Sequence, residues 1–419
     1  MPDTATTADT GQADQLRQEM TDKLIAGGWI ASPVVEAAFR SVPRHAFTLP
    51  GTSLEVAYNA DESVITKRDA SDAHLSSVSA PWLQARMIAQ ASIQPGMRVL
   101  EIGSGGYNAA LLAEVTGTGG HVVSMDIDPE ITDRATAVLK ATGYDNRVSV
   151  VTGDGEQGAP RHAPFDAIVV TCGAWDIPRA WIDQLAGSQS TLVVPLRMNT
   201  ITRSIGFVPG DGHLASTSAE VCGFVPVQGE GVHAERSFRL RGPGGGHVTV
   251  RFEQGAPADP SLLDGVLATK QVTQWSGVTV GNGVSFADLH LWLAGFLPGF
   301  CRVAAGEGTA LHAEGVGKGW FPYGAIVAES FCYLASRRLG GSGPAEFEFG
   351  AKAYGPHAAE AAAALNAEIA AWDAHGRDVG PGGFAFWPAG SAFPPPPPAT
   401  AVFPKAHGTA IVSWLKPSQ

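Results

Sequence analysis

Cysteine is scarce in this chain, basic residues are outnumbered, and apolar runs are short. The four cysteines, Cys172, Cys222, Cys301 and Cys332, show no C-x-x-C spacing and sit among apolar neighbours. This argues against a disulfide framework or a thiolate metal site and predicts buried free thiols in a reducing, cytoplasmic compartment. Lys and Arg number 28 against 40 Asp and Glu, a formal charge of −12. A chain of that sign lacks the basic face that a phosphate backbone demands, so nucleic acid is not an expected partner. The 12 histidines show neither H-E-x-x-H nor another paired-ligand spacing, so no metal is expected. No run approaches the ~20 apolar residues needed to span a bilayer. Residues 1–14 are small and polar, which predicts a disordered tail rather than a signal peptide.

What is present is an ordinary globular composition, 44% hydrophobic and 16% charged over 419 residues, long enough for two or three domains. Its most informative stretch is VLEIGSGGYNAALLAE, Val99 to Glu114, an apolar strand entering a glycine loop that opens onto a helical pattern. Gly103, Gly105 and Gly106 permit a tight turn and close approach of a ligand, and the helix start offers free N–H donors. The next strand, GGHVVSMDID, ends in Asp126, with Ile127 after it, where a doubly wound fold places the carboxylate that holds a ribose. An adenosine-bearing cofactor follows, either a dinucleotide or S-adenosylmethionine. Asn108 stands where a dinucleotide fingerprint has its third glycine, and Glu101 would sit badly beside a pyrophosphate but suits the amino group of a methionine moiety. A third element, VSVVTGDGEQG, puts Asp154 and Gly155 at a strand end, where Asp154 is placed to accept from an adenine amino group; read alone, T-G-D-G is a turn.

Around this motif the pattern gives an N-terminal helical subdomain and loop over 15–78, with Ser32-Pro33 starting the second helix and an irregular polar loop over 50–79. Strands and helices alternate over 97–102, 107–116, 121–126, 129–142, 148–152, 166–171, 178–185 and 191–195. That is the signature of a parallel sheet covered on both faces, within a cofactor-binding domain over 79–229. From 230 to 419 the reading is an additional α+β domain, with an Ala-rich helix over 356–376, five prolines at 394–398 acting as a connector, and a terminal strand TAIVSWL.

With these residues in view, the chain resembles the protein-L-isoaspartate O-methyltransferase family of class I S-adenosylmethionine-dependent methyltransferases. The resemblance rests on R-x-x-F at Arg44–Phe47, S-A-P at Ser79–Pro81, E-I-G-S-G at 101–105, Asp126, G-D-G at 153–155, A-P-F-D at 163–166, I-P at 177–178, Q-L at 184–185 and F-V-P at 224–226. It covers roughly residues 15 to 230. The resemblance implies a Rossmann-like methyltransferase sheet, S-adenosylmethionine as cofactor, and a peptide or protein acceptor bearing Asp or isoAsp. It implies that Ser79 places the acceptor carboxylate and that Ser77, Val78, Ala80 and Gln84 join Glu101, Gly103, Ser104, Gly105, Asp126, Ile127, Asp154 and Gly155 around the cofactor. Read alone, Ser79 is instead the N-cap of the helix opening at Pro81. The chain departs from the family in its shortened glycine loop and in Trp82 and Gln84, where histidines are usual. The short loop and long extension resemble actinobacterial homologues associated with lanthipeptides, which implies a ring-constrained precursor peptide as substrate, its methyl ester leading to succinimide and isoaspartate. General repair of aged proteins is the alternative. The stretch FLPGFCRVAAGEG with GWFPYG reads either as a peptide-recognition lobe or as a buttress for the sheet.

Overall fold

Strands that read as unbroken apolar runs need cover on both faces, and here they form one half of a ten-stranded sheet, with the strand Val148–Thr152 at its edge. The computed structural model describes residues 7–316, 322–340, 345–378 and 380–414, with side chains from residue 11 onward. Residues 1–6 of the expected tail and 319–321 of GWFPYG lie outside these ranges. In chain order the strands of the first half are β1 (Val64–Arg68), β2 (His74–Val78), β3 (Arg98–Ile102), β4 (His121–Asp126), β5 (Val148–Thr152), β6 (Ala167–Val170), β7 (Thr191–Met198), β8 (Ile201–Pro209) and β9 (Leu214–Val221). Strands β3 to β7 are parallel in the spatial order β5-β4-β3-β6-β7, and β8 and β9 extend the sheet antiparallel. The winding reverses between β3 and β6. Such a switch point opens a crevice at the carboxyl ends of the strands, and the glycine loop lies there.

The Rossmann-like α/β sheet is thus as the motif order implies, but its surroundings differ from the sequence reading in three places. The first helix already begins at Thr7 and runs to Ala26, so residues 7–14 are helical rather than a tail. The expected loop over 50–79 contains the antiparallel hairpin β1–β2, with Val64 opposite Val78. Its inward positions include Thr66 and Ser76, which are buried and hydrogen-bonded to each other at 3.0 Å. Polar residues on the buried face hid the period of two that marks a strand.

The third difference concerns the domain boundary at 229/230. Strands β10 (Arg236–Arg241), β11 (His247–Phe252), β12 (Val272–Gly281), β13 (Phe300–Ala305), β14 (Tyr323–Val327), β15 (Ser330–Arg338) and β16 (Glu346–Tyr354) make a separate antiparallel sheet in the order β10-β11-β13-β14-β15-β16-β12. The last strands, β17 (Gly383–Pro388), β18 (Thr400–Pro404) and β19 (Gly408–Ser413), return to the first sheet, where β17 pairs with β9. The five prolines link β17 to β18. Helix Ala358–His375 packs on β12, β15 and β16, and helix Ala287–Phe296 bridges from it to β7, β8 and β18. Trp292 donates to Glu368 at 3.0 Å between these helices.

One apolar core therefore runs from Leu100 and Ile168 of the first sheet through Leu291 and Leu365 of the helices to Phe349 of the second sheet and Phe386 of β17. A shared core makes the two sheets unfold together. Phe386→Ala, at a fully buried position, is expected to lower stability by about 3–5 kcal/mol. Urea unfolding followed by fluorescence and far-UV dichroism should show one coincident transition in wild type and variant.

Candidate functional site

The loop between β3 and helix Tyr107–Thr116 is shaped by contacts that tolerate no side chain. Gly103 has φ of +100°, its N–H donates to the Met125 carbonyl at 2.8 Å, and a Cβ there would lie 2.6 Å from Thr171 Oγ1. Thr171 in turn donates to the Gly103 carbonyl at 2.7 Å, tying the loop to the end of β6. Gly106, at φ of +84°, presses against Phe47 of the R-x-x-F element, 3.0 Å from where a Cβ would stand. At Gly105 the nearest atom to such a Cβ is the Ser77 carbonyl at 3.8 Å. A side chain there would project into a cavity walled by Ser77, Ile102 to Gly105, Met125 to Ile127, Gly155, Thr171 and Cys172.

Of the three carboxylates singled out from the sequence, only Asp126 lies on this cavity. Its Oδ2 accepts from the Ser104 N–H and its Oδ1 from the Asp128 N–H, each at 3.0 Å. Burial raises its pKa above the ordinary carboxylate value. Glu101 is fully buried behind the loop, where it accepts from Asn108 Nδ2 at 2.9 Å and from the Ser124 hydroxyl. These bonds brace the helix start, which gives Asn108 a role as well. Asp154 is held by two backbone donors. Its Oδ1 caps the turn at the Glu156 N–H and its Oδ2 accepts the Glu230 N–H, both at 2.9 Å. The neighbouring Gly155, not Asp154, reaches the cavity wall.

The S-V-S-A-P turn is held from below by Arg44. This buried guanidinium donates to the Ala57 carbonyl at 2.7 Å, to Gln84 Oε1 at 3.1 Å and to the Val78 carbonyl at 3.3 Å, and it lies 4.9 Å from the Tyr107 ring centroid. Burial pulls its pKa down to about 10. Gln84 is therefore spent on Arg44 and does not line the cavity, and Val78 is buried in the core. Ala80, not Ser79, occupies the N-cap of helix Pro81–Gln90, which removes the capping explanation for Ser79. Ser79 and Ala80 line a larger cleft of about 1400 Å³ next to the cavity, and Ser77 lines both spaces.

Segment Val225–Gln228 also borders both spaces, and beyond the F-V-P element no sequence pattern points to it. It is pinned by pairing with the loop after β6: the Gly173 N–H donates to the Val225 carbonyl at 2.8 Å and the Val227 N–H to the Gly173 carbonyl at 3.0 Å. Trp175 lies on the cleft and stacks on His233 at 3.8 Å. Cys172 and Cys222 are half-buried on the walls of the two spaces rather than fully buried, and burial pushes the pKa of each thiol up to about 12. The hairpin β1–β2 is anchored beside the cavity by Lys67, which bonds Asp128 and Glu130 at 2.6 Å each.

Burial raises the Glu101 pKa from 4.5 to about 7. Between these values the folded state keeps a proton that the unfolded chain has released, so its contribution is present below pH 4.5 and lost as pH rises through 7. The loss is at most about 3 kcal/mol. Glu101→Gln should be flatter than wild type in stability between pH 5 and 8, as measured by urea midpoints. Equal slopes would mean that Glu101 is ionised throughout.

The family model described as Protein-L-isoaspartate(D-aspartate) O-methyltransferase (PCMT) matches residues 15–231. The protein-L-isoaspartate O-methyltransferase of Hyperthermus butylicus is 36% identical over 225 residues, 52% of this chain and 90% of that protein. The one from Gloeobacter violaceus is 40% identical over 195 residues, 45% of this chain and 89% of that protein. A solved protein-L-isoaspartate O-methyltransferase aligns at a TM-score of 0.48 and 20% identity, over 85% of this chain and 92% of its own. The match over residues 15–231, which contains the glycine loop, Asp126 and the S-A-P turn, shows that this chain belongs to the protein-L-isoaspartate (D-aspartate) O-methyltransferase family.

Proposed function

We propose that the acceptor of this S-adenosylmethionine-dependent methyltransferase is the free carboxylate of an aspartyl residue (its side chain) or an isoaspartyl residue (its α-carboxylate) in a peptide. The observation that carries this reading is the junction of two spaces: the cavity under the glycine loop opens past Ser77 and Val225–Gln228 into the cleft that Ser79 lines. The donor set fits the cofactor. Gly103 and Gly105 leave room for a ligand against the backbone, Asp126 supplies a carboxylate for a ribose diol, and Met125 and Ile127 supply apolar walls. Ser77, Gly103, Ser104, Gly105, Asp126, Ile127 and Gly155 would hold it. When bound, it supplies an electrophilic methyl group on a sulfonium.

The residues facing that methyl need not include a strong base, because an aspartyl carboxylate of pKa about 4 is already ionised at neutral pH. Their work is alignment and exclusion of water. Ser79 can donate its hydroxyl and backbone N–H to the acceptor carboxylate and fix its approach. Leu75, Val225 and Pro226 at the junction present apolar surface where water would otherwise solvate the nucleophile. After transfer, the adjacent backbone nitrogen can attack the ester carbonyl and expel methanol. The resulting succinimide opens with water to Asp or isoAsp.

The finer reading, a ring-constrained ribosomally made precursor peptide of the lanthipeptide kind, is supported by the cleft's second wall. That wall comes from the additional sheet, and a walled cleft restricts which acceptors fit. Repair of isoaspartyl sites in aged proteins is the second reading, supported by the names of both relatives, which specify L-isoaspartate in protein. Mass spectrometry after incubation with S-adenosylmethionine separates the two. Methyl gain and methanol loss on a cyclised precursor alone favours the first, and methylation of an unrelated isoaspartyl peptide favours the second. Methylation of neither removes the proposed acceptor.

Ser79→Ala is expected to lower kcat/KM about 10- to 100-fold with unchanged cofactor affinity. Asp126→Ala should weaken S-adenosylmethionine binding by about 10- to 100-fold in calorimetric titration. Unaltered affinity would exclude Asp126 from the cofactor site.

A further inference from the structure

The second sheet presents two arginines to the cleft in an arrangement that the fold itself does not use. Arg251 on β11 and Arg302 on β13 are direct cross-strand partners in an antiparallel pair, and Arg302 is in turn opposite Tyr323 on β14. All three line the cleft, and both arginines are exposed. Residues opposite one another share a face of the sheet with Cβ atoms about 5 Å apart, and like charges so placed repel. Among the described residues neither arginine has an ion-pair partner.

The other two arginines on the cleft are differently placed. Arg197 is paired with Glu235, and Arg203 is buried, donating to the Ala287 carbonyl at 2.8 Å with Asp288 at 3.4 Å. Of the acids on the cleft, Glu235 is the one paired with Arg197, and Asp61, Asp69 and Asp72 belong to the loop before β1 and to the β1–β2 hairpin. In a chain of net charge −12, an uncompensated arginine pair facing the acceptor space is a local reversal of sign.

We propose that Arg251 and Arg302, with Tyr323, form a subsite for the side-chain carboxylates of acidic residues flanking the methyl acceptor, so that this enzyme selects acidic peptides. Each guanidinium offers a planar fork of donors that matches a carboxylate bidentately, and the tyrosine adds a hydroxyl donor. An anion seated between the arginines also cancels their mutual repulsion. The inference rests on a peptide being the acceptor and assigns which peptides are favoured.

The test uses the full chain and C-terminally amidated isoaspartyl peptides that share one core, with the flanks made acidic or replaced by Asn and Gln. Wild type should favour the acidic peptide in kcat/KM by about tenfold, through KM, with the preference shrinking as salt rises. In Arg251→Gln/Arg302→Gln the preference should vanish, while activity on the neutral peptide and affinity for S-adenosylmethionine stay as they were. Arg251→Glu/Arg302→Glu should instead favour lysine-flanked peptides. A wild type indifferent to flanking charge, or a double Gln variant that keeps the preference, would overturn the subsite. A fluorescent acidic peptide with Asn in place of isoaspartate reads binding alone. Its tight, salt-sensitive binding to wild type and weak binding to the double Gln variant would support the subsite even if no peptide is methylated, an outcome that would overturn the acceptor reading only. Equal binding to both would overturn the subsite.

Discussion

A guanidinium without a carboxylate partner among the described residues underlies the arrangement of the site. Burying an ion costs several kcal/mol unless its donors are satisfied, and Arg44 is satisfied only if three separate acceptors stay in place: the Ala57 carbonyl, Gln84 Oε1 and the Val78 carbonyl. The first belongs to the N-terminal helices, the second to the helix after the S-A-P turn and the third to the strand leading into it. The Tyr107 ring beneath belongs to the helix that begins at the glycine loop. One cation thus fixes the relative position of the turn that carries Ser77 and Ser79 and the loop that carries Gly103 to Gly106. Neutral acceptors suit this role, because a carboxylate would bind at one point and leave the remaining donors to find others.

A second set of buried charges connects the C-terminal strands to the same region. Lys405, following β18, donates to the Arg197 carbonyl at 2.7 Å, lies 3.5 Å from Glu253 and stands 4.6 Å from the Trp175 ring centroid. Burial pulls its pKa down to about 8. His407 bonds Glu156 at 2.9 Å through its ring and Asp176 at 2.6 Å through its backbone. Glu156 follows Asp154 and Gly155, so the turn beside the cavity under the glycine loop is braced by residues distant in sequence. The wall of the cleft and the rim of the cavity are therefore mechanically joined.

What the sequence made legible follows from how local the cause was. Strands β3 to β7 are continuous apolar runs bounded by glycines and turns, and their helices begin and end on ordinary signals, so both show in a single pass. Asp126 is reached by counting along two consecutive strands. Glu101, Asp154 and Gln84 were assigned by proximity to motifs, yet which way a side chain faces depends on neighbours from elsewhere: Ser124 and Asn108 for the first, Glu230 for the second, Arg44 for the third. The position of Val225–Gln228 at the site, beyond its F-V-P motif, and the Arg251–Arg302 pair do not show in the sequence because they are brought into place by pairing between strands or loops distant in sequence. The same reason hid the return of β17, β18 and β19 to the first sheet.

That return has a consequence for the order of assembly. Strand β9 emerges from the ribosome long before β17, and the whole seven-stranded sheet must be synthesised between them. Until β17 arrives, the nascent chain carries the parallel sheet with an open antiparallel margin, the kind of edge that recruits foreign strands. Productive maturation then depends on the intervening lobe collapsing early enough to deliver its trailing strands, so the margin at β9 is covered only after the seven-stranded sheet has been made.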